Sequence, residues 1–173
     1  LERELGQYRE EEATCNGCAG YPKYDQVTGL LSFNRFREEV DSVIASGKGK
    51  SCLLVYTDLE NFKYFNRKYG YAAGDQLLRE FTGYIIDTLK KRNTAHFTRV
   101  VADQFILFFE EKWNNGSIEA IKRINNGFIE RQQRKYPEAK LRLRTGVYKV
   151  EKDCDGASFA IDAANYARRQ IQD

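Results

Sequence analysis

The 173-residue sequence contains no methionine, one histidine (His96) and two prolines. The missing methionine and the start at Leu1 lead us to expect a piece of a longer protein, with any targeting or membrane segment lying upstream. No signal peptide is visible, and no apolar run approaches the length of a membrane span. We therefore expect no membrane contact from this segment and a cytoplasmic setting, alone or as the cytoplasmic portion of an anchored protein. Charge of one sign is also scarce: 28 basic against 25 acidic residues leave +3, with no basic block to focus it. That excludes nucleic acid as an expected partner. Of the four cysteines, only Cys15 and Cys18 have ligand spacing. One such pair with a single distant histidine makes a poor zinc site. Reduced thiols near a linker are the plain reading, and a redox pair or an intermolecular metal clip is the alternative.

What the chain does have is regular patterning. Residues 1–12 place Leu1, Leu5 and Tyr8 on one helical stripe, too short to be stable alone. Such a stripe fits a partner helix, either in a homodimer or in an upstream sensor region. "CNGCAGYPKYD" breaks the helix, so we place a linker over residues 1–21 and the domain over 22–173. Ser32 is expected to cap a helix carrying Phe36, Val40 and Val43. "SCLLVYTDL" reads as a strand buried on both faces. A short helix stopped by Gly70 follows, then a long helix starting at Asp75. "AHFTRVV" and "QFILFFE" are strands joined by only Ala102-Asp103. A helix follows from Ser117, then the alternating strand "KLRLRTGVYKV" with a bulge expected at Gly146, then a closing helix. The order is β-α-β-β-α-β with helices at both ends. This implies an α+β sandwich whose central, mostly antiparallel sheet is flanked by helices.

That order has a chemical consequence. The first strand should lie beside the third, which brings Asp58 at one strand end to the edge that carries Asp103 at the hairpin. Two carboxylates on one edge suit magnesium, which also takes phosphate oxygens as ligands. This is the layout of a palm-type nucleotidyl-transfer site, where metal activates a hydroxyl and steadies the leaving diphosphate.

Residues 58–78, "DLENFKYFNRKYGYAAGDQLL", resemble the core segment of GGDEF domains, D-[IL]-D-x-F-K-x-[IFY]-N-D-x-x-G-H-x-x-G-D-x-x-L. Asp58, Phe62, Lys63, Asn66, Gly70, Gly74, Asp75 and Leu78 match. "DQVTGLLSFNRF" is similar to the opening D-x-[LVT]-T-G-L-x-N-R-x-x-F, and "DAANYARRQ" to the closing D-x-A-[LM]-Y-x-A-K. "RVVADQF", residues 99–105, is similar to the signature R-x-G-G-D-E-F. Arg99, Asp103 and Phe105 remain, while Val101, Ala102 and Gln104 replace two glycines and a glutamate.

The resemblance implies a diguanylate cyclase ancestry, two GTP giving cyclic di-GMP and two diphosphates. It implies Mg2+ held at Asp58, Leu59 and Asp103, and catalysis at Asp58, Asp103 and position 104. It also implies guanine contacts from Asn66 and Asp75 and phosphate contacts from Lys63 and Arg169, with Val101 and Ala102 beside the substrate. The family's product-inhibition site, R-x-x-D, reads Arg92 to Ala95 here and lacks its acid. The changes carry physical weight. Glycine takes positive φ freely, whereas valine in a left-handed conformation costs about 1–2 kcal/mol. Gln104 is neutral and takes no proton from a nucleophile. A plainer account stands beside each assignment. Asp75 makes a good N-cap. Asn66 can bond within its helix. Lys63 is a solvated lysine, and Arg168 and Arg169 are a solvated helix end. The expected function is a catalytically impaired, GTP-binding or regulatory GGDEF domain. An active cyclase with a variant signature and a ligand-free dimerisation module are the alternatives.

Overall fold

Eight of the nine residues of β1, Cys52–Glu60, are buried, because this strand lies inside the sheet with helices on both faces. A computed structural model describes residues 22–92 and 94–171; the stripe of residues 1–12, Cys15 and Cys18 lie outside the described residues. The other strands are β2 (Ala95–Val101), β3 (Gln104–Glu110) and β4 (Arg142–Lys149). The sheet order is β2-β3-β1-β4, and every neighbouring pair is antiparallel. The helices are α1 (Phe33–Ala45), α2 (Phe62–Tyr69), α3 (Tyr71–Leu89), α4 (Ser117–Lys135) and α5 (Ala157–Arg169). None of them, among the described residues, is long and apolar enough to cross a membrane.

Alternation along the strands divides the core. Leu53, Val55, Leu59, Phe105, Leu107 and Phe109 pack with α2, α3 and α4. Cys52, Leu54, Tyr56, Ile106 and Phe108 face the other way, onto α1 and α5. A period of two thus sends Tyr56 and Asp58 to the α5 side. Ser32 caps α1 as expected, its Oγ accepting from the Arg35 N–H at 3.5 Å.

Three local expectations are corrected. The long helix begins at Tyr71 rather than Asp75, so Asp75 sits inside its second turn and caps nothing; Gly70 holds the N-cap position. Gly146 is not a bulge, because the β1–β4 register runs unbroken through Tyr56 and Gly146. It is glycine because α5 crosses there. A Cβ would lie 2.1 Å from the Ala164 carbonyl oxygen and 2.3 Å from the Arg168 nitrogen. The register shift of the sheet falls in β2 instead, between Arg99 and Val101.

Candidate functional site

The hairpin tip is Ala102-Asp103, as its position between two strand runs predicts. The left-handed residue there is Ala102 (φ 49°), and Val101 stays in the strand. The backbone strain therefore falls on the smaller side chain, which corrects the expectation of a strained valine. Val101 stands 59% exposed at the rim. Arg99 braces the turn, donating from Nε to the Ala102 carbonyl at 2.6 Å and from Nη1 to Asp25 at 3.1 Å. Asp25 also accepts from the Thr28 amide (2.8 Å) and hydroxyl (2.6 Å). The opening motif is therefore a clamp on the hairpin. The Leu59 N–H donates to the Asp103 carbonyl at 3.4 Å, which fastens the tip to the end of β1. Burial pushes the Asp103 carboxyl up from its ordinary value, and the Asp58 charge acts the same way.

Asp58 pairs in register with Gln104 on one side and Arg144 on the other, a row across three strands. Arg144 grips its carboxylate with both ends of the guanidinium fork, Nε to Oδ1 at 3.2 Å and Nη2 to Oδ2 at 2.7 Å. From above, Arg168 on α5 donates through Nη1 to the same Oδ2. Arg168 is 5% exposed, which overturns its reading as part of a solvated helix end. Its Nε and Nη2 donate to Asn165 Oδ1 at 3.1 and 2.8 Å. Its guanidinium lies 4.8 Å from the Tyr56 ring centroid, a favourable cation–π distance. The Tyr56 hydroxyl donates to Gln104 Oε1 at 2.8 Å. Burial raises the Tyr56 pKa, which keeps that phenol protonated.

A divalent ion does not fit this arrangement. Both Asp58 oxygens are engaged by cations, and position 104 brings no charge. At an effective dielectric of ~20, a dication about 4 Å from a guanidinium is repelled by on the order of 8 kcal/mol. Among the described residues, no three His, Cys, Asp or Glu side chains are placed to hold a metal.

The helical end of the site differs. Asn66 on α2 lies against Gly74 on α3, where a Cβ would sit 1.7 Å from Asn66 Oδ1. Only glycine admits the amide. That Oδ1 is buried and finds no hydrogen-bond partner among the described residues. Asp75 is next in sequence and half-buried. Lys63 and Arg169 are both exposed. Arg92 lies at the far end of the β2–β3 hairpin from the turn, paired with Glu111 at 2.7 Å.

Asn165 and Arg144 escaped the reading of the sequence, and Arg168 was read only as part of a solvated helix end. A signal for Arg168 exists, since it continues the buried stripe Ala157, Ala160, Ile161 and Ala164 at helical spacing. Asn165 and Arg168 also stand where the closing pattern has Leu or Met and Ala. Arg144 carries no such mark, because only the register places it opposite Asp58.

A family model described as "Diguanylate cyclase, GGDEF domain" matches residues 22–172. The chain belongs to the GGDEF family. Among curated relatives, "Diguanylate cyclase DgcS" of Shewanella oneidensis is 32% identical over 89 residues, covering 50% of this chain and 29% of its own length. "Cyclic di-GMP phosphodiesterase PdeR" of Escherichia coli is 28% identical over 130 residues, covering 75% and 18%. The chain thus spans less than a third of the length of these relatives. Among solved structures, the coiled coil and GGDEF domain of DgcB from Caulobacter crescentus, in complex with c-di-GMP, superposes with a TM-score of 0.72 at 18% identity, covering 98% of this chain and 85% of that one. The fold is therefore that of a GGDEF domain, a module of cyclic di-GMP signalling proteins.

Proposed function

We propose that this GGDEF domain is a guanine-nucleotide-binding regulatory module that holds its ligand without cyclising it. The observation that carries the reading is the Asn66 amide oxygen, buried against Gly74 without a partner among the described residues and on the side chain neighbouring Asp75's helical turn. A buried acceptor left unpaired costs roughly 1–3 kcal/mol. A guanine edge complements it: the N1 and N2 donors meet the Asn66 and Asp75 oxygens, and the amide N–H meets O6. The capping role that competed for Asp75 is absent, since Asp75 lies within α3.

The opposite end argues against turnover. Joining two GTP with release of two diphosphates requires a 3′-hydroxyl to lose its proton and the developing charge at the α-phosphate to be offset. Gln104 is neutral and tied to Tyr56, and Asp58 is held by two guanidinium groups. Losing one such electrostatic contact commonly lowers the rate by ~10²–10³.

Calorimetry on the whole chain with GTP and ATP, with nucleotide chromatography after long incubation, tests the reading. GTP should bind and ATP should not. Asn66→Ala and Asp75→Ala should each weaken GTP binding at least about tenfold, which is 1.4 kcal/mol. No cyclic di-GMP should form. Equal binding by wild type and both variants would sink the assignment, and no binding at all would favour the ligand-free interaction module.

A further inference from the structure

We infer that Arg168 is the resident cation of this site, and that Asp58 takes its guanidinium in place of a magnesium or manganese ion. The inference deepens the functional reading above, but it rests on a different end of the site. Arg168 is anchored on every side. Its Nη1 meets Asp58 Oδ2, its Nε and Nη2 share Asn165 Oδ1, and its guanidinium carbon lies over the Tyr56 ring. An exposed lysine in its place would swing into water when a metal arrived. This side chain is 6% exposed and has no such exit. Asp58 is equally enclosed, at 7%. Arg144, at 31%, is the more open of the two cations, and its fork completes the neutralisation while also lying 3.8 Å from Glu60.

The departures at this edge act as one unit. Gln104 withdraws a negative charge, Arg168 adds a positive one, and Asn165 holds the new guanidinium in place. Gly146 lets α5 approach closely enough for the reach, since any Cβ there would strike Ala164 and Arg168 backbone atoms. The charge that a divalent ion would bring is thus already present in covalent form. It cannot dissociate, and chelators cannot remove it. Nucleotide held at the helical end should accordingly be indifferent to magnesium.

The test is manganese titration of the whole chain without nucleotide, read as paramagnetic broadening of backbone amide signals by NMR. In wild type, the amides of Leu59 and Asp103 should broaden no more than exposed surface amides at millimolar manganese. In the Arg144→Gln/Arg168→Met double variant, whose methionine keeps apolar cover on Tyr56, both signals should broaden at concentrations at least tenfold lower. Asp58→Asn in that background should remove the effect. Selective broadening of Leu59 and Asp103 in wild type overturns the inference, and so does its absence in a folded double variant. Should the double variant not fold, the wild-type titration decides by itself. Manganese binding at Asp58 alongside intact GTP binding would remove this inference and leave the functional reading standing. Failure of GTP to bind, with no manganese at Asp58, would do the reverse.

Discussion

At the sheet end of the site, Asp58 meets two guanidinium groups, Gln104 meets a phenol, and Arg99 meets Asp25. At the helical end, six residues beyond the close of β1, Asn66 keeps a buried oxygen with no partner among the described residues. The two ends differ because their groups differ in charge. An unpaired ion in the interior is worth several kcal/mol of destabilisation, so a buried carboxylate must have a cation in the folded state whether or not ligand is present. A neutral amide left unpaired costs roughly 1–3 kcal/mol, which a domain of this size can carry. One end therefore has its charges paired within the fold, while the other keeps an acceptor that the described residues do not satisfy.

The largest test of that contrast is Asp58→Asn. It strands Arg168 in the interior and should destabilise the domain by about 3–5 kcal/mol in a urea melt. Were Asp58 instead one of a set of mutually repelling acids, the same change would raise stability. A gain would therefore erase the distinction between the two ends. Next in size is Gly146→Ala. The added methyl needs α5 to move off β4, which should cost about 2–3 kcal/mol and lengthen the Arg168–Asp58 contact. Chemical denaturation with a crystal structure of the variant would check both. At the helical end, Asn66→Ala should behave in the opposite way. Stability should hold within about 1 kcal/mol, since the change deletes an unsatisfied acceptor rather than creating one. A large loss of stability there would mean that the amide is structural after all. The smallest effect is expected at the hairpin. Ala102→Gly relieves the positive φ and should stabilise by up to ~1 kcal/mol, as seen in the melting midpoint, with the Asp58 cluster unchanged.

Much of the site's frame was legible from residues alone. The apolar run of β1, the two-residue link between β2 and β3, and the strand order together put Asp58 and the hairpin on one edge. The register of Asp58 with Gln104 and the Leu59 to Asp103 bond agree with that. The motif spacing likewise brought Asn66 and Asp75 to neighbouring helices. Local rules misled where a residue has two suitable uses. Aspartate favours N-caps, yet α3 starts four residues before Asp75. Glycine favours bulges, yet Gly146 serves a helix crossing.

What the sequence determined by itself is the architecture and the neutrality of position 104, because periodicity and side-chain chemistry are properties of residues and their neighbours in the chain. The state of Asp58 was decided only by the tertiary structure. Arg144 and Arg168 lie 86 and 110 residues away from it. Their meeting depends on a strand register and on how closely a helix crosses that strand. Coulomb interactions act through space at a few ångströms, and no local pattern records which distant charges will be that close.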